Sequence, residues 1–441
     1  MESYDVVVIG AGPAGLMAAI PCAEGKLRTL ILDTKETIGA KLLISGGGRC
    51  NVTHLEVSEK DYQTSEPRTV RNILRAFPPE RTLEFFKDLG VEMVLEEGTK
   101  YFPKAQSQYP SISTEWKLGQ SLSPLEKRNG RKGQSSKVVL QALLQASHCA
   151  GVLIERGKRV NAVSKEDEIF RVSGEGFEHL ARELVIATGG LSYPGTGSDG
   201  SGYLLAKSLG HSVVSTTPAL TPLMTNDPDW KKLSGITLPV ELSILAEGKK
   251  IAQSDGALLF THIGFSGPAV LDISGPWLRC GTKQKELLAN FLPTRNISKI
   301  SEEWARLVSE HPDRSWKRVL ARYFPERLAE VLLKKGGIDP RKRLDQTSKT
   351  DRAAFIRFLF HCLVAVTGSQ GYEKAEATAG GVDLGEVDAK TLESKLCPGL
   401  FFAGEVLDVD GRIGGFNFQW AWASGTVVGE AIRQRFQGRQ A

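Results

Sequence analysis

Residues 4–33 read YDVVVIGAGPAGLMAAIPCAEGKLRTLILD, and this stretch decides the fold. Tyr4 to Ile9 is an apolar, β-branched run, the composition of a parallel strand buried on both faces. It leads directly into Gly10-Ala11-Gly12-Pro13-Ala14-Gly15. A helical pattern follows through Leu16, Ala19 and Ile20, then a second strand, Arg28 to Leu32, ending at Asp33. This is GxGxxG between strand and helix, with an acid about 20 residues on, the arrangement of a dinucleotide-binding unit. Gly10 permits the tight turn, Gly12 lets backbone approach a pyrophosphate, and Gly15 lets the helix lie close on the strand. The helix, opening at Pro13 and Ala14, offers unpaired N–H groups and about half a positive charge to phosphates. Asp33 is expected to hold a ribose hydroxyl pair. Pro21 falls inside the helical pattern and is expected to bend or shorten it.

A second GxGxxG runs from Gly195 to Gly200, after the strand Leu184 to Ala187 and before a helix, Tyr203 to Leu209. Here Gly189, Gly190, Ser192, Tyr193 and Pro194 separate strand from motif, and no acid ends the next apolar run, HSVVSTT. It is read as a decoy. One dinucleotide site is expected, which excludes a layout with two Rossmann domains.

The chain has 441 residues, enough for two or three domains. Its net charge of +5 does not by itself imply a nucleic-acid partner. Acidic Glu2 and Asp5 stand where a signal peptide carries basic residues, and the first apolar run is broken by glycines, Pro13, Glu24 and Lys26, so no membrane span is expected. Six cysteines are scattered without a CxxC, which argues against a metal site and a disulfide framework and points to a reducing cytoplasm.

The ADP part of a dinucleotide is common to NAD and FAD, and the segment after Asp33 discriminates. Lys41 and the successive glycine N–H groups of ISGGGRCNVT, residues 44–53, suit an extended diphosphate and the edge of a flavin. GAKLLISGGGRCNVT at 39–53 resembles the signature of the HI0933-like flavoproteins, also called the aminoacetone-oxidase type. Four further stretches agree: VIATGGLSYPGTGSDGSGY at 185–203, LLFTHIGFSGPAVLDIS at 258–274, EATAGGVDLGEVDAKTLESKLCPGLFFAGEVLDVDG at 376–411 and GGFNFQWAWASG at 414–425. The resemblance covers nearly the whole chain.

The late motifs support FAD independently. Gly404 and Glu405 end a strand, Leu400 to Ala403, and Asp408 or Asp410 follows to hold ribityl hydroxyls. Gly414-Gly415 opens a helix, Asn417 to Ile432, whose N-terminus should point at the flavin N1 and C2 carbonyl. A packed glycine-rich turn under Trp420 and Trp422 is the other reading of that stretch. Thr188-Gly189-Gly190 resembles the middle FAD strand end. The resemblance extends the cofactor set to Thr34, Lys35, Ser45, Gly46, Gly47, Gly48, Arg49, Cys50, Asn51, Val160, Gly415, Phe416, Asn417, Phe418 and Gln419.

Candidate catalytic residues are Cys50, Arg49 and His262. By resemblance Cys50 lies beside the flavin ring, either as a proton donor to the carbon next to the one that takes a hydride or as a small packing side chain. Arg49 is a cation for flavin or substrate, or half of a structural salt bridge. His262 sits between the strand Ala257 to Thr261 and a glycine-rich turn, as a catalytic acid or a turn-stabilising hydrogen bond. Tyr193 is a candidate pocket residue. Cys362 falls on the apolar helical face Phe355, Phe358, Leu359, Cys362, Val366 and is read as core.

The fold class is α/β: a three-layer, Rossmann-like FAD-binding domain from residues 1–193 and 376–441, a small β-rich insert at 194–279 and a mainly helical insert at 280–375. Ser301 is expected to open the helix SEEWARLVSEH. Asn296 to Arg352 holds 14 Lys or Arg against 9 Asp or Glu, a balance of +5. A departure from the family, Gln106 to Gly133, carries 5 basic against 2 acidic residues. A solvated surface is one reading of both, and a side facing a polyanion the other.

The expected function is that of an FAD-dependent oxidoreductase. Without a second nucleotide domain, NADH or NADPH would visit the flavin transiently as electron donor. The resemblance implies reduction of an activated C=C bond, reduction of uridine in ribosomal RNA, or amine oxidation, on a small molecule or ribosomal RNA. A non-enzymatic flavin-binding protein is the rival from another class.

Overall fold

The computed structural model describes residues 2–104, 135–282 and 284–440, so the basic stretch Gln106 to Gly133 lies outside the described residues. Backbone contacts divide the chain into two compact units, Met1–Thr217 with Ala377–Ala441, and Pro218–Glu376.

The first unit opens with β1 (Glu2–Ile9), α1 (Pro13–Glu24) and β2 (Thr29–Leu32). Two short strands follow, β3 (Thr53–His54) and β4 (Lys100–Pro103), then α2 (Ser135–Ala150) and β5 (Leu153–Glu155). A meander of β6 (Val160–Glu166), β7 (Ile169–Gly174) and β8 (Phe177–Ile186) precedes α3 (Ser201–Ser208). The chain returns with β9 (Leu400–Phe402) and ends in α4 (Phe416–Gln440). The main sheet has the order β5-β2-β1-β8-β7-β6, with β9 also on β8. The long β8 explains both partners: His179 to Ala181 bond the antiparallel β7, and Leu184 to Ile186 bond the parallel β9. The strands β1, β2, β8 and β9 run parallel, in register Ile9 with Leu32 and Ile186, and Ile186 with Phe402. Their C-terminal ends therefore lie side by side, where the nucleotide loops leave the sheet.

Two helices pack by loss of side chains. A Cβ at Gly425 would stand 2.4 Å from the Ala14 carbonyl oxygen, and one at Gly429 2.4 Å from that of Ala18, so these glycines let α4 lie directly on α1. Pro21 does not shorten α1 as expected; the helix runs on to Glu24. Pro21 is itself buried against Gly429, where a Cβ would meet its Cδ at 3.1 Å, so packing offsets the missing hydrogen bond.

The second unit is an antiparallel seven-stranded sheet, in the order 362–364, 285–290, 237–246, 249–260, 264–266, 223–224, 368–369. Helices Ile297–Glu310, Glu326–Lys335 and Lys349–Phe360 share one apolar core with it, through Trp230, Phe260, Trp304, Trp316 and Phe355. The β-rich and helical inserts thus have a common core, because strands on both sides of the helices close the same sheet. Residues 194–217 belong with the first unit. Two local expectations change. The helix expected to open at Ser301 begins at Ile297, where the Asn296 side chain accepts from the Ser298 N–H at 2.8 Å. The apolar run through Cys362 stops being helical at Phe360; Cys362–Val364 is a strand paired to Leu287–Ala289, and Cys362 is buried from it.

Among the described residues no helix is long and apolar enough to cross a membrane.

Candidate functional site

The first nucleotide loop has the expected division of labour. A Cβ at Gly10 (φ +106°) would meet the Ala187 carbonyl at 2.5 Å, and one at Gly15 would meet the Gly10 carbonyl at 1.9 Å. A Cβ at Gly12 would meet nothing within 4 Å, so Gly12 alone opens onto free space. The first turn of α1 has no side-chain cap. Asp33 braces this loop: its carboxylate accepts from the Ala11 N–H at 2.7 Å and the Lys35 N–H at 2.8 Å. Burial pushes its pKa up, and those backbone donors pull it back down.

The second GxGxxG is built differently. Pro194–Thr196 is a 3₁₀ turn, and a Cβ at Gly197 would meet the Lys35 side chain at 3.2 Å. Asp199 bonds Arg159 at 2.7 Å and caps Ser201 N–H at 3.0 Å, so its carboxylate serves the protein itself.

A polar network ties together the loops that leave β2, β8 and β9. Lys41 Nζ donates to Glu405 Oε2 and Ser192 Oγ, each at 2.5 Å. Ser192 Oγ donates to Glu405 Oε1 at 2.8 Å, and so does the Thr378 N–H, also at 2.8 Å. Thr378 Oγ1 in turn accepts from the Leu191 and Ser192 N–H groups at 2.8 and 3.1 Å. Lys41 therefore directs its charge to Glu405. Ser192 and Thr378 were not singled out from the sequence, since nothing local marks a serine and a threonine whose partners are 27 to 213 residues away. Gly189 takes φ +74°, and a Cβ at Gly190 would strike Thr378 Oγ1 at 2.5 Å. Thr188 packs its hydroxyl so tightly on α3 that a Cβ at Gly202 would lie 1.9 Å from it.

The SGGGRCN loop is a run of left-handed backbone. Gly46, Gly47, Gly48 and Cys50 have φ of +55°, +66°, +90° and +56°. Glycine takes this conformation at 46–48 without the cost L-residues incur, and Cys50 adopts it at a cost of about 1–3 kcal/mol. Ser45 O accepts from Cys50 N–H at 3.2 Å and closes the loop. The Cys50 thiol is fully buried, and burial pushes its pKa up to about 12. It is a neutral thiol that holds its proton. The Arg49 guanidinium is paired with Glu96 and lies 4.3 Å over the Phe102 ring. Asn51 Oδ1 is buried and has no hydrogen-bond partner among the described residues. It lies where a Cβ at Gly415 (φ +98°) would come within 2.7 Å, at the start of α4.

The first turn of α4 is mostly committed to protein. Gln419 Oε1 accepts from the Thr53 and Thr82 hydroxyls at 2.7 and 2.9 Å, and Nε2 donates to the Phe77 carbonyl at 2.9 Å. Asn417 clasps Gly411 through both backbone groups at 2.9 Å. Phe416 is stacked on His54, with centroids 4.8 Å apart, and Phe418 is stacked on Trp422. Trp420 and Trp422 are buried with their indole N–H groups on the Gly404 and Val52 carbonyls. Gln419 and Asn417 thus shape the turn, Gly415 is crowded by Asn51 Oδ1 and the Thr53 backbone, and at Gly414 a Cβ would meet nothing closer than 3.5 Å.

Of the other candidates, Asp408 is buried beside this region and its N–H donates to Val382 O at 3.0 Å. Thr34 is half-buried next to Asp33, and Val160 is buried in the core of the first unit, paired with Gly174. His262 lies in the second unit, exposed, in a turn whose hydrogen bonds are made by Thr261 Oγ1 to the Ile263 and Gly264 N–H groups. Open backbone at Gly12, an uncapped helix start, uncrowded glycines at 46, 47 and 414, and the orphaned Asn51 oxygen fit a dinucleotide cofactor.

A model of the HI0933-like protein Rossmann domain matches residues 4–118 and 114–431. The chain belongs to the HI0933-like family. It is 33% identical over 428 residues, 96% of each chain, to the ribosomal RNA dihydrouridine synthase of Escherichia coli (strain K12). It is 31% identical over 432 residues, 97% of this chain and 98% of the other, to the 3-dehydro-bile acid delta(4,6)-reductase of Clostridium scindens. A solved 3-ketosteroid-delta4-(5alpha)-dehydrogenase from Rhodococcus jostii RHA1 aligns over 98% of this chain and 97% of that one, at 16% identity and a TM-score of 0.46. This member of the HI0933-like family is a flavin-dependent oxidoreductase, as the sequence led us to expect.

Proposed function

We propose that the protein uses bound FAD and a transient NADH or NADPH to reduce a C=C bond activated by a carbonyl group. The observation that carries this reading is shared chemistry among full-length relatives. A dihydrouridine synthase and a delta(4,6)-reductase both, by name, add hydrogen across a C=C bond. FAD, when bound, supplies hydride transfer between nicotinamide and substrate. Gly12 and the first turn of α1 would hold the pyrophosphate, Asp33 the adenosine ribose, and the Gly46–Gly48 loop and the mouth of α4 the flavin end. The Lys41–Glu405–Ser192 network orients the three loops between them. A single open nucleotide loop supports transient rather than resident nicotinamide.

Anaerobic mixing tests the reading. NADH or NADPH should bleach the flavin, and a cyclic enone should restore its colour with one equivalent of saturated ketone formed. A flavin that neither nicotinamide reduces, or that only oxygen re-oxidises while an amine is consumed, refutes it. In the first case a non-enzymatic flavin-binding role stands, in the second an amine oxidase.

A second reading places the C=C bond in a uridine of ribosomal RNA. It is favoured by the relatives named as dihydrouridine synthases and by the basic balance of 296–352. Within that segment Lys317, Lys334 and Lys335 are neutralised by Glu326, Asp229 and Asp227, but Arg306, Arg318, Arg322 and Arg341 are exposed. RNA affinity should fall steeply with salt, and changing these four arginines to alanine should lower the log–log slope by roughly 0.7–0.9 for each phosphate that is no longer neutralised. Salt-independent RNA binding leaves a metabolite as the substrate.

A further inference from the structure

Cys50 holds its proton up to about pH 12 and is sealed from solvent, so a proton passed to substrate through it would be slow to replace. Four residues on, His54 has neither handicap. It ends β3, whose alternation turns Thr53 inward onto Gln419 and leaves His54 half-buried. Its ring stacks on Phe416, the first residue of α4, at 4.8 Å and 23°. Its Nδ1 lies 3.0 Å from the Glu56 carbonyl oxygen. A carbonyl only accepts, so Nδ1 carries a fixed hydrogen and Nε2 is the atom that gains and loses a proton. Nε2 is bonded to Cδ2, and Cδ2 would lie 3.8 Å from a Cβ at Gly414, at the mouth of α4. The orphaned Asn51 oxygen lies at the same mouth, against Gly415.

The charged neighbours are already paired. Lys100, opposite His54 in β4, bonds Glu97 at 2.6 Å, and Arg412 lies 3.5 Å from Asp61. Among the described residues at this mouth, His54 is therefore the one whose ring gains and loses a proton on the acid side of neutrality. Burial, with smaller effects of Lys100 and Arg412, lowers its pKa below the usual 6.5, against the Glu56 hydrogen bond and Asp61, which raise it.

We propose that His54 is the proton donor of the C=C reduction, resting on the function proposed above. One alkene carbon would gain the hydride that FAD, when bound and reduced by NAD(P)H, would supply. The π electron pair takes the Nε2 proton at the neighbouring carbon, forming the second C–H bond. Neutral His54 then recovers a proton from solvent, which its partial exposure permits.

His54→Gln removes the titrating nitrogen, and His54→Phe keeps the ring stacked on Phe416 without any nitrogen. Both variants should retain FAD and accept electrons from NAD(P)H at the wild-type rate. Re-oxidation of the reduced protein by an enone should slow by about 10²-fold or more, the loss expected for a general acid, and added imidazole should restore part of it. The wild-type rate should fall as pH rises above the lowered histidine pKa, and the variants should show no such fall. A re-oxidation rate within threefold of wild type in both variants, or a wild-type profile flat to pH 9, overturns the proposal; a flat profile is what a Cys50 donor gives. A second readout needs no turnover. In NMR spectra of the FAD-loaded protein, His54 should carry hydrogen at Nδ1 and titrate at Nε2 below pH 6.5. If wild type reduces neither enone nor uridine, the proposed function fails, and this titration decides His54 alone: a hydrogen at Nε2 that does not titrate overturns it.

Discussion

Gln419 sits in a cofactor-like motif, yet every hydrogen-bonding atom of its amide is used by the protein. Replacing it with leucine, of similar size, removes three hydrogen bonds, to Thr53 Oγ1, Thr82 Oγ1 and the Phe77 carbonyl. All three lie in the buried interior, so water cannot take the amide's place. At about 0.5–1.5 kcal/mol each, the loss should be about 1.5–4.5 kcal/mol. The measurement is urea unfolding of the protein stripped of flavin, followed by near-ultraviolet circular dichroism of Trp420 and Trp422, which pack beside the site. Gln419→Glu adds a sign test. Glutamate keeps an oxygen to accept from Thr53 and Thr82 but sets its second oxygen against the Phe77 carbonyl, so its folded pKa is raised. Its deficit against wild type should shrink as pH falls through that raised pKa, when the protonated carboxyl can donate to Phe77. Flavin-free Gln419→Leu within 0.5 kcal/mol of wild type, with FAD affinity down tenfold, would refute the reasoning and make Gln419 a cofactor ligand.

Asp33→Ala should weaken FAD retention about tenfold or more, since charged hydrogen bonds contribute roughly 1.5–3 kcal/mol, while Asp199→Ala, which breaks only the Arg159 pair and a helix cap, should leave it unchanged. Equal losses in equilibrium dialysis would show the second GxGxxG to be a working nucleotide loop. Iodoacetamide at pH 8 should label exposed Cys149 and leave Cys50, Cys22 and Cys362 unmodified in the folded protein, since burial holds those thiols protonated; mass spectrometry finding Cys50 labelled first would contradict its burial. His211 is buried between Glu386 at 3.1 Å and Ser394 Oγ at 2.7 Å, and burial lowers its pKa below 6.5. The unfolded chain then binds the proton first, so stability held above pH 6.5 should be lost as pH falls through the folded value. His211→Gln should show a shallower decline in urea midpoint between pH 7.5 and 5.0; equal slopes would assign the decline to other groups.

The nucleotide loop was legible in the sequence because its requirements are local. A tight turn, a close approach and a helix start fall within Gly10 to Gly15, and each glycine has the surroundings its spacing implies. The SGGGRCN run was legible for the same reason, since successive left-handed residues need glycine wherever they occur. Asn51 and the mouth of α4 come together only in the fold, and His54 attracted no notice in the sequence because a lone histidine after a threonine has no local signature. The partners of Arg49 show the opposite limit: its pairing with Glu96 and its contact with Phe102 come from strands some way along the chain and have no local signature. Gln419 likewise sits in a nucleotide-like motif and is consumed by Thr53, Thr82 and Phe77. The run through Cys362 reads as a helix face by period, yet ends as a strand because the edge of the sheet at Leu287–Ala289 supplies hydrogen bonds that periodicity cannot see. Backbone conformation and local spacing were thus determined by the sequence itself. Which side chains face the cofactor, and which are spent on one another, was decided by tertiary structure, because a hydrogen bond goes to the partner that folding brings within 3 Å.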